Sequence, residues 1–529
     1  MASPRVEELP NDDAAHFVRN SSGVVKAVSN ADDASGDSND SSSPSKLDVA
    51  IDETLDRIAE TLERLRLAFE RDTPNYPPVD PSKPVLHMVG LFHTVPNREW
   101  SHCAFTGKVL RFAKMMRQFG YKVVEYSNGD SESHANEHVQ MLTRAELDEQ
   151  LERNKKANPG IKDHGGNAVR GAPLHLSFCR RLVPEIKQRV RDGDIVCHPF
   201  GNPHQHLVAD LKGTSVIHVE SGIGYPETWC ANRIYESSAW MHWHYGKGEP
   251  VTGLYPGEPS VVFKERKSIK DGKEVVEKGD AVAIRESRAW GMNYHFVAPN
   301  YFDLSEWEAV EDIGLSVNPL LEMYAVHVQQ LQKSKMPIPS ALQRFLNGEH
   351  VPYVGFLGRV YDGKGVSIIK EIADRMPDEL FVLCGQGDQD KYIMGAVHHN
   401  VIGIQPITGF ERSLYLGHAK CALMPTQFIE PFGGSGVETM LCGTPLITSN
   451  FGAFHETVEH GVTGYRAVTL GDWCEAIRKA PLLPRKRIAE IARSKYGLRA
   501  VGDTYDRIFR SYADLLSGKG FYSEQAHFV

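Results

Sequence analysis

Two glutamates, Glu430 and Glu438, stand eight positions apart in the segment FIEPFGGSGVETMLCG, with Gly433, Gly434, Ser435 and Gly436 between them. A glycine turn that feeds a helix offers unpaired backbone N–H groups and the positive end of the helix dipole, which suits an anion such as a phosphate. Glu430 precedes that turn and Glu438 follows it by about two helical turns. One carboxylate can therefore address what lies before the anion and the other what lies beyond it. A second charged element, GRVYDGKG over 358–365, carries Arg359 and Lys364. A guanidinium grips phosphate oxygens as a fork and an ammonium as a point charge, and a neutralised pyrophosphate is a better leaving group. A third glycine turn, GQGD at 385–388, follows the next apolar run.

The string E-P-F-G-x-x-x-x-E, then C-G-T-P, then an asparagine-led glycine turn and H-E at 455–456, resembles the retaining nucleotide-sugar glycosyltransferases of family 4. Sucrose synthases, glycogen synthases and phosphatidylinositol mannosyltransferases are among that family and its relatives. The resemblance is clear over about 297–470, weak over 84–296 and absent before 80. It implies the GT-B architecture, two Rossmann-like domains facing a cleft, and transfer of a hexosyl unit with retention. It further implies that Glu430 meets sugar hydroxyls and Glu438 the nucleotide ribose. Arg359 and Lys364 would hold the diphosphate, and Gly358, Gly385, Gly433, Gly434 and Ser435 would line the donor. The segment QPITGF (405–410) occupies the base-binding loop and has no side chain that separates uracil from guanine. The resemblance implies no cofactor and no metal, with the nucleotide-diphosphate sugar as co-substrate. The alternatives are a GT-B sugar-nucleotide epimerase, against which the E-P-F-G string argues, and an inactive nucleotide-sugar-binding protein.

The acceptor, a sugar, lipid or small molecule, falls to the N-terminal half. Relatives often carry a histidine near the reaction centre at a strand end, and His218, His204 and His93 compete for that place, with Glu220 beside His218. The pairs His204/His206 and His242/His244 would share a face in a strand, as two ligands of one ion require, but aromatic-flanked histidines are more often packed. Trp240, Trp243 and Tyr245 read as core or an oligomer surface before a sugar platform. The helix KVLRFAKMMRQF puts Lys108, Arg111, Lys114 and Arg117 at a spacing of three. It reads as a solvated basic face, with contact to an anionic acceptor or membrane surface as the alternative.

Around these residues the chain alternates short apolar runs with helical stretches, the signature of parallel α/β sheets. Strands are expected at VLHMVGLF, YKVVEYS, DIVCHPF, TSVIHVES and HFVAP, and again at YVGFLG, LFVLCG, ALMPT and PLITS. This gives an α/β protein with tandem Rossmann-like domains over 84–303 and 351–490, a helical connection over 304–350 and a helical segment over 491–529. Residues 1–46 are rich in Ser, Asp and Asn and read as a disordered tail. An amphipathic helix and Pro-rich linker cover 47–83, its stripe docking on the adjacent domain or on a second subunit. Residues 130–170 read as an insertion or loop, and 246–285 as an inserted hairpin turning at Asp271-Gly272.

The length, 529 residues, excludes a lone small module. A net charge of −9 argues against wholesale nucleic-acid binding. Eight scattered cysteines with no C-x-x-C pair fit a reducing compartment, and no apolar run is long enough to span a bilayer, so a cytoplasmic location is expected.

Overall fold

Runs such as LHMV, IVCH and LFVLC are mostly apolar and buried at every position, the pattern of strands covered on both faces. They build two parallel sheets in a computed structural model that describes residues 16–19, 25–28, 75–101, 103–157, 169–247, 260–270, 273–284, 295–307, 320–387, 400–407 and 410–517. In chain order the first unit comprises β3 (Leu86–Val89), α1 (Ala104–Arg117), β4 (Val123–Ser127), β5 (Glu137–Gln140), α2 (Arg144–Ala157) and α3 (Pro173–Arg189). It continues with β6 (Ile195–His198), α4 (Leu207–Asp210), β7 (Ile217–Ile223), β8 (Asn232–Tyr235), α5 (Ser238–Gly246) and β11 (His295–Val297). Its seven strands are ordered β11-β8-β7-β6-β3-β4-β5. After α6 (Leu321–Lys333) and α7 (Ser340–Leu346), the second unit runs β12 (Tyr353–Leu357), α8 (Val366–Arg375), β13 (Leu380–Cys384), β14 (Val401–Ile404), α9 (Phe410–His418) and β15 (Cys421–Met424). It ends with α10 (Gly434–Leu441), β16 (Leu446–Ser449), α11 (Phe454–Thr457), β17 (Gly464–Ala467), α12 (Leu470–Lys479) and α13 (Arg485–Tyr496). Its six strands are ordered β14-β13-β12-β15-β16-β17. Two parallel-sheet α/β units in tandem are the GT-B arrangement.

The last helix, α14 (Leu498–Leu516), leaves the second unit and returns to the first. Its Val501, Tyr505, Ile508, Phe509 and Tyr512 share a core with Val109, Phe112 and Met116 of α1. The crossing is pinned where Phe302 N–H donates to Tyr496 O at 2.9 Å.

The segment over 130–170 is not simply a loop: it holds β5 and α2. The strand EHVQ is a polar sheet edge paired only with β4, and α2 buries Leu147 alone, so neither needs strong apolar periodicity. Within 1–46, β1 (His16–Arg19) and β2 (Val25–Val28) pair antiparallel, which corrects the expectation of a wholly unstructured tail; HFVR and VKAV carry enough branched and aromatic residues for a short ribbon. The amphipathic stripe of 47–71 lies outside the described residues, and with it the question of a second subunit. The inserted hairpin is present as β9 (Ser260–Lys270) and β10 (Lys273–Ile284), with Lys270 opposite Lys273.

The basic face of α1 is corrected most sharply. Lys108, Arg111 and Lys114 are buried, not solvated, and cannot lie on a membrane surface. Lys108 pairs with Glu236, Arg111 with Glu306, and Lys114 with Asp303 at 2.6 Å. Arg117 lies over the Tyr76 ring and donates to His134 O. A buried cation must be paired, and the carboxylates that pair these three lie 128 to 195 residues away in sequence, invisible to local pattern. Among the described residues no helix is long and apolar enough to cross a membrane.

Candidate functional site

The carboxyl end of β15 delivers the chain to Glu430, which lies just before α10. Gly433, the residue that caps α10, has φ +83, a conformation that L side chains rarely adopt. A Cβ built on Gly434 would meet nothing within 4 Å, so the space above the helix start is open. Gly436 N–H and Val437 N–H donate to Gly433 O at 2.9 and 3.3 Å, and the amides before them lead the first turn. Ser435 is half-buried there, its hydroxyl 3.9 Å from Met424 Sδ. On the facing loops the backbone of Gly385 lies so close to that of Gly358 that a Cβ on Gly385 would stand 1.7 Å from Gly358 O. Only glycine fits at 385, and the two strand ends after β12 and β13 are thereby held level.

Lys364 closes a 3-10 turn, Asp362–Lys364, after β12. Its Nζ donates to Glu430 Oε2 at 2.6 Å, and Thr426 Oγ1 donates to the same oxygen at 3.2 Å. Arg359 is exposed on the same loop, and its charge and that of Glu430 both act on the Tyr361 phenol between them. The two elements singled out in sequence thus meet through the Lys364–Glu430 ion pair, with Arg359 exposed on the same loop as Lys364.

Glu438 has a different setting. It is buried and pairs with Arg412 of α9, whose guanidinium lies 5.3 Å from the Trp307 ring centroid. Burial raises its pKa above the usual carboxylate range, while Arg412 and Arg111 oppose that shift. Arg111 comes from the first unit and Glu306 from the connection, so Glu438 stands where both units meet. A small opening there is lined by Arg98, Ser101, Arg111, Glu306, Trp307 and Arg412. Sequence reasoning missed Arg412. A signal existed: it sits in the first turn of α9, where the helix dipole disfavours a cation.

The two units also touch directly. Ser237 Oγ donates to Pro431 O at 2.6 Å, and the Glu456 carboxylate accepts from the N–H groups of Ser238 and Ala239 at 3.0 and 2.8 Å. Glu456, read as the end of the glutamate-glycine string, therefore caps α5 of the opposite unit.

The first-unit candidates do not converge in the same way. His218 is the second residue of β7, not its end, and its Nδ1 lies 3.1 Å from Nε2 of His198, the residue that does end β6. His93 is buried between Phe92 and Phe200. His204 is buried beside Phe178, and burial lowers its pKa to about 3. Neither histidine pair lies on a strand: His204 and His206 precede and cap α4, and His242 and His244 lie on α5. His242 and His244, two residues apart on a helix, point to different sides. Trp240 and Trp243 stack at 4.3 Å, and Tyr245 Oη lies 2.6 Å from His295 Nδ1, so the aromatic cluster packs on its own unit.

Glu220 is buried on β7 and accepts from Trp229 N–H, Cys230 N–H and Tyr225 Oη at 3.0, 2.8 and 3.0 Å. Burial outweighs these bonds and raises its pKa from 4.5 to about 7. The folded chain then holds a proton that the unfolded chain releases. This contribution to stability is complete below pH 4.5, declines as pH rises to about 7, and stays lost above. The decline should amount to roughly 3 kcal/mol, and Glu220→Gln should flatten it. Urea midpoints at the two ends of that window check this; an unchanged slope in the mutant would assign the decline elsewhere.

Residues 340–494 match the family model described as glycosyl transferases group 1. A stretch of 136 residues is 37% identical to the 2-deoxystreptamine N-acetyl-D-glucosaminyltransferase of Niallia circulans, covering 24% of this chain and 34% of that protein. The phosphatidyl-myo-inositol mannosyltransferase of Propionibacterium freudenreichii is 29% identical over 160 residues, 28% of this chain and 38% of its own. The chain thus spans about a third of the length of these curated relatives. Among solved structures, Anabaena HepE in complex with UDP aligns with a TM-score of 0.49 and 13% identity, over 81% of this chain and 100% of its own. The glutamate-glycine string, the lysine loop and the six-stranded parallel sheet all lie inside the stretch that matches the glycosyl transferases group 1 model.

Proposed function

We propose that the protein transfers a hexosyl unit from a nucleotide-diphosphate sugar to an acceptor, with retention at the anomeric carbon. The observation that carries this reading is the Lys364–Glu430 ion pair just before the open start of α10, with Arg359 on the same loop as Lys364, inside the family-matched stretch. In this reading the first-turn amides of α10, Arg359 and Lys364 bind the diphosphate. Before the donor arrives, the Glu430 carboxylate holds the Lys364 ammonium. The diphosphate then competes for that ammonium, which frees Glu430 to accept from hydroxyls of the transferred sugar. As the glycosidic bond breaks, positive character grows on the ring and negative charge on the leaving phosphate. Glu430 stabilises the former, and Arg359 with Lys364 the latter. The leaving phosphate oxygen takes the acceptor proton on the face from which the sugar departs. Glu438, held by Arg412, orients the nucleoside ribose.

Residues of the first unit hold the acceptor, and the reading needs no cofactor at the donor site. The kindred reading, a sugar-nucleotide epimerase, gains no observation from the geometry. A panel of UDP-, GDP- and ADP-sugars tests the proposal directly. Purified protein is expected to release free nucleoside diphosphate from one of them, faster once the right acceptor class is added. Release from none, under conditions where the protein binds a nucleoside diphosphate, would leave only a nucleotide-sugar-binding role.

A further inference from the structure

Away from the donor site, one face of α3 carries His175 and Cys179, one helical turn apart, directed at the turn that holds His204 and His206. One ligand atom from each of the four lies within 4.8 Å of every other. Cys179 Sγ is central: it is 3.3 Å from His175 Nε2, 3.2 Å from His206 Nε2 and 4.0 Å from His204 Nδ1. A tetrahedral zinc with bonds of about 2.3 Å to sulfur and about 2.0–2.1 Å to nitrogen sets its ligands about 3.5 Å apart. The observed separations bracket that edge, so little movement would close the set around an ion. We propose that His175, Cys179, His204 and His206 form a structural zinc site.

Three features beyond the spacing support it. His206 Nδ1 lies 2.7 Å from Asp210 Oδ2, which fixes the hydrogen on Nδ1 and turns Nε2 toward the thiol. A carboxylate behind a ligating imidazole is the usual outer partner of a zinc histidine. His175 and His204 are buried, which shields an ion between them from solvent. A thiolate with three imidazoles is a donor set suited to zinc and unsuited to magnesium or calcium.

The balance of the step is simple. Cys179 gives up its proton to solvent as sulfur binds the ion, and no redox change occurs. His175 now accepts from Gly171 N–H through Nδ1 at 3.0 Å and points Nε2 at Pro203 O at 2.9 Å. On binding, its remaining hydrogen moves to Nδ1, and both of those contacts give way to the metal bond. With four protein ligands the site is closed, and its role is to tie α3 to the loop that leaves the carboxyl end of β6. That loop lies on the edge of the first sheet where ligands of open α/β folds bind. The metal would therefore stiffen the acceptor side without touching the donor chemistry.

The experiment uses the full chain purified without chelator. Elemental analysis is expected to find one zinc per chain. After exchange into cobalt(II), a thiolate-to-cobalt charge-transfer band and tetrahedral d–d bands are expected. Cys179→Ser should lose the charge-transfer band, and Cys103→Ser, outside the cluster, should keep it. Asp210→Asn should keep the band and bind zinc roughly 10–100-fold more weakly. Should Cys179→Ser fail to fold, His206→Gln takes its place, with weakened cobalt binding and an altered d–d spectrum expected. Absence of both zinc and any charge-transfer band on titration with either metal overturns the proposal. A band that survives in Cys179→Ser overturns it equally, since the metal would then sit on another thiol.

Discussion

Glu430→Gln is expected to lower kcat by on the order of 10²- to 10³-fold, the cost of losing one charged partner of a developing charge, while nucleoside diphosphate binding stays the same or tightens. The direction of the binding effect follows from the ion pair. Lys364 Nζ lies 2.6 Å from Glu430 Oε2, so removing the carboxylate charge leaves that ammonium available to the phosphates. The rate effect follows from the proposed chemistry, because a charged hydrogen bond to a sugar hydroxyl strengthens as the ring becomes cationic. Glu438→Gln should behave in the opposite way. Its carboxylate is buried against Arg412 and close to Arg111. Neutralising it leaves buried guanidinium charge uncompensated and weakens donor binding by roughly 1.5–3 kcal/mol, the worth of a hydrogen bond to a charged group. Calorimetry with the cognate nucleoside diphosphate, set beside steady-state rates, separates the two glutamates. Loss of nucleotide binding in Glu430→Gln with intact binding in Glu438→Gln would reverse the proposed orientation of the donor. No effect in either would remove the string from the site.

Arg359→Ala and Lys364→Ala are each expected to lower kcat/KM by roughly 10²-fold or more, as for loss of a charge partner of the leaving group. Their side effects should differ. Arg359 is exposed, so its removal should leave the melting temperature nearly unchanged. Lys364 neutralises a carboxylate whose side chain is only 11% exposed, so Lys364→Ala should also destabilise the fold. The double change Lys364→Ala with Glu430→Gln should recover that stability without recovering turnover. Near-native kinetics in both single mutants, with a confirmed donor, would sink the phosphate clamp.

What the sequence determined by itself was the second unit. Its four inner strands are mostly apolar runs legible in sequence, while the edge strands β14 and β17 were not expected; its turns are marked by glycines, and every residue of the string from Glu430 to Glu456 lies in one stretch of chain. Local order sufficed because a glycine turn and the helix it feeds are neighbours in sequence. Edge strands such as EHVQ were lost to this reading because an edge half open to water needs no apolar period. Only the tertiary structure decided the charges. The basic row of α1 looks like a solvated face until Glu236, Asp303 and Glu306 arrive from far along the chain to bury it. It likewise set Glu438 against Arg412, sent α14 back to the first unit, and moved His218 from a strand end to a strand beginning. It also gathered His175 and Cys179 with His204 and His206, residues whose separation in sequence hides their shared space. The physical reason is common to all of these. A pattern along the chain reports what each residue does to its near neighbours, whereas the fate of a charge or a ligand atom depends on what is packed against it from elsewhere.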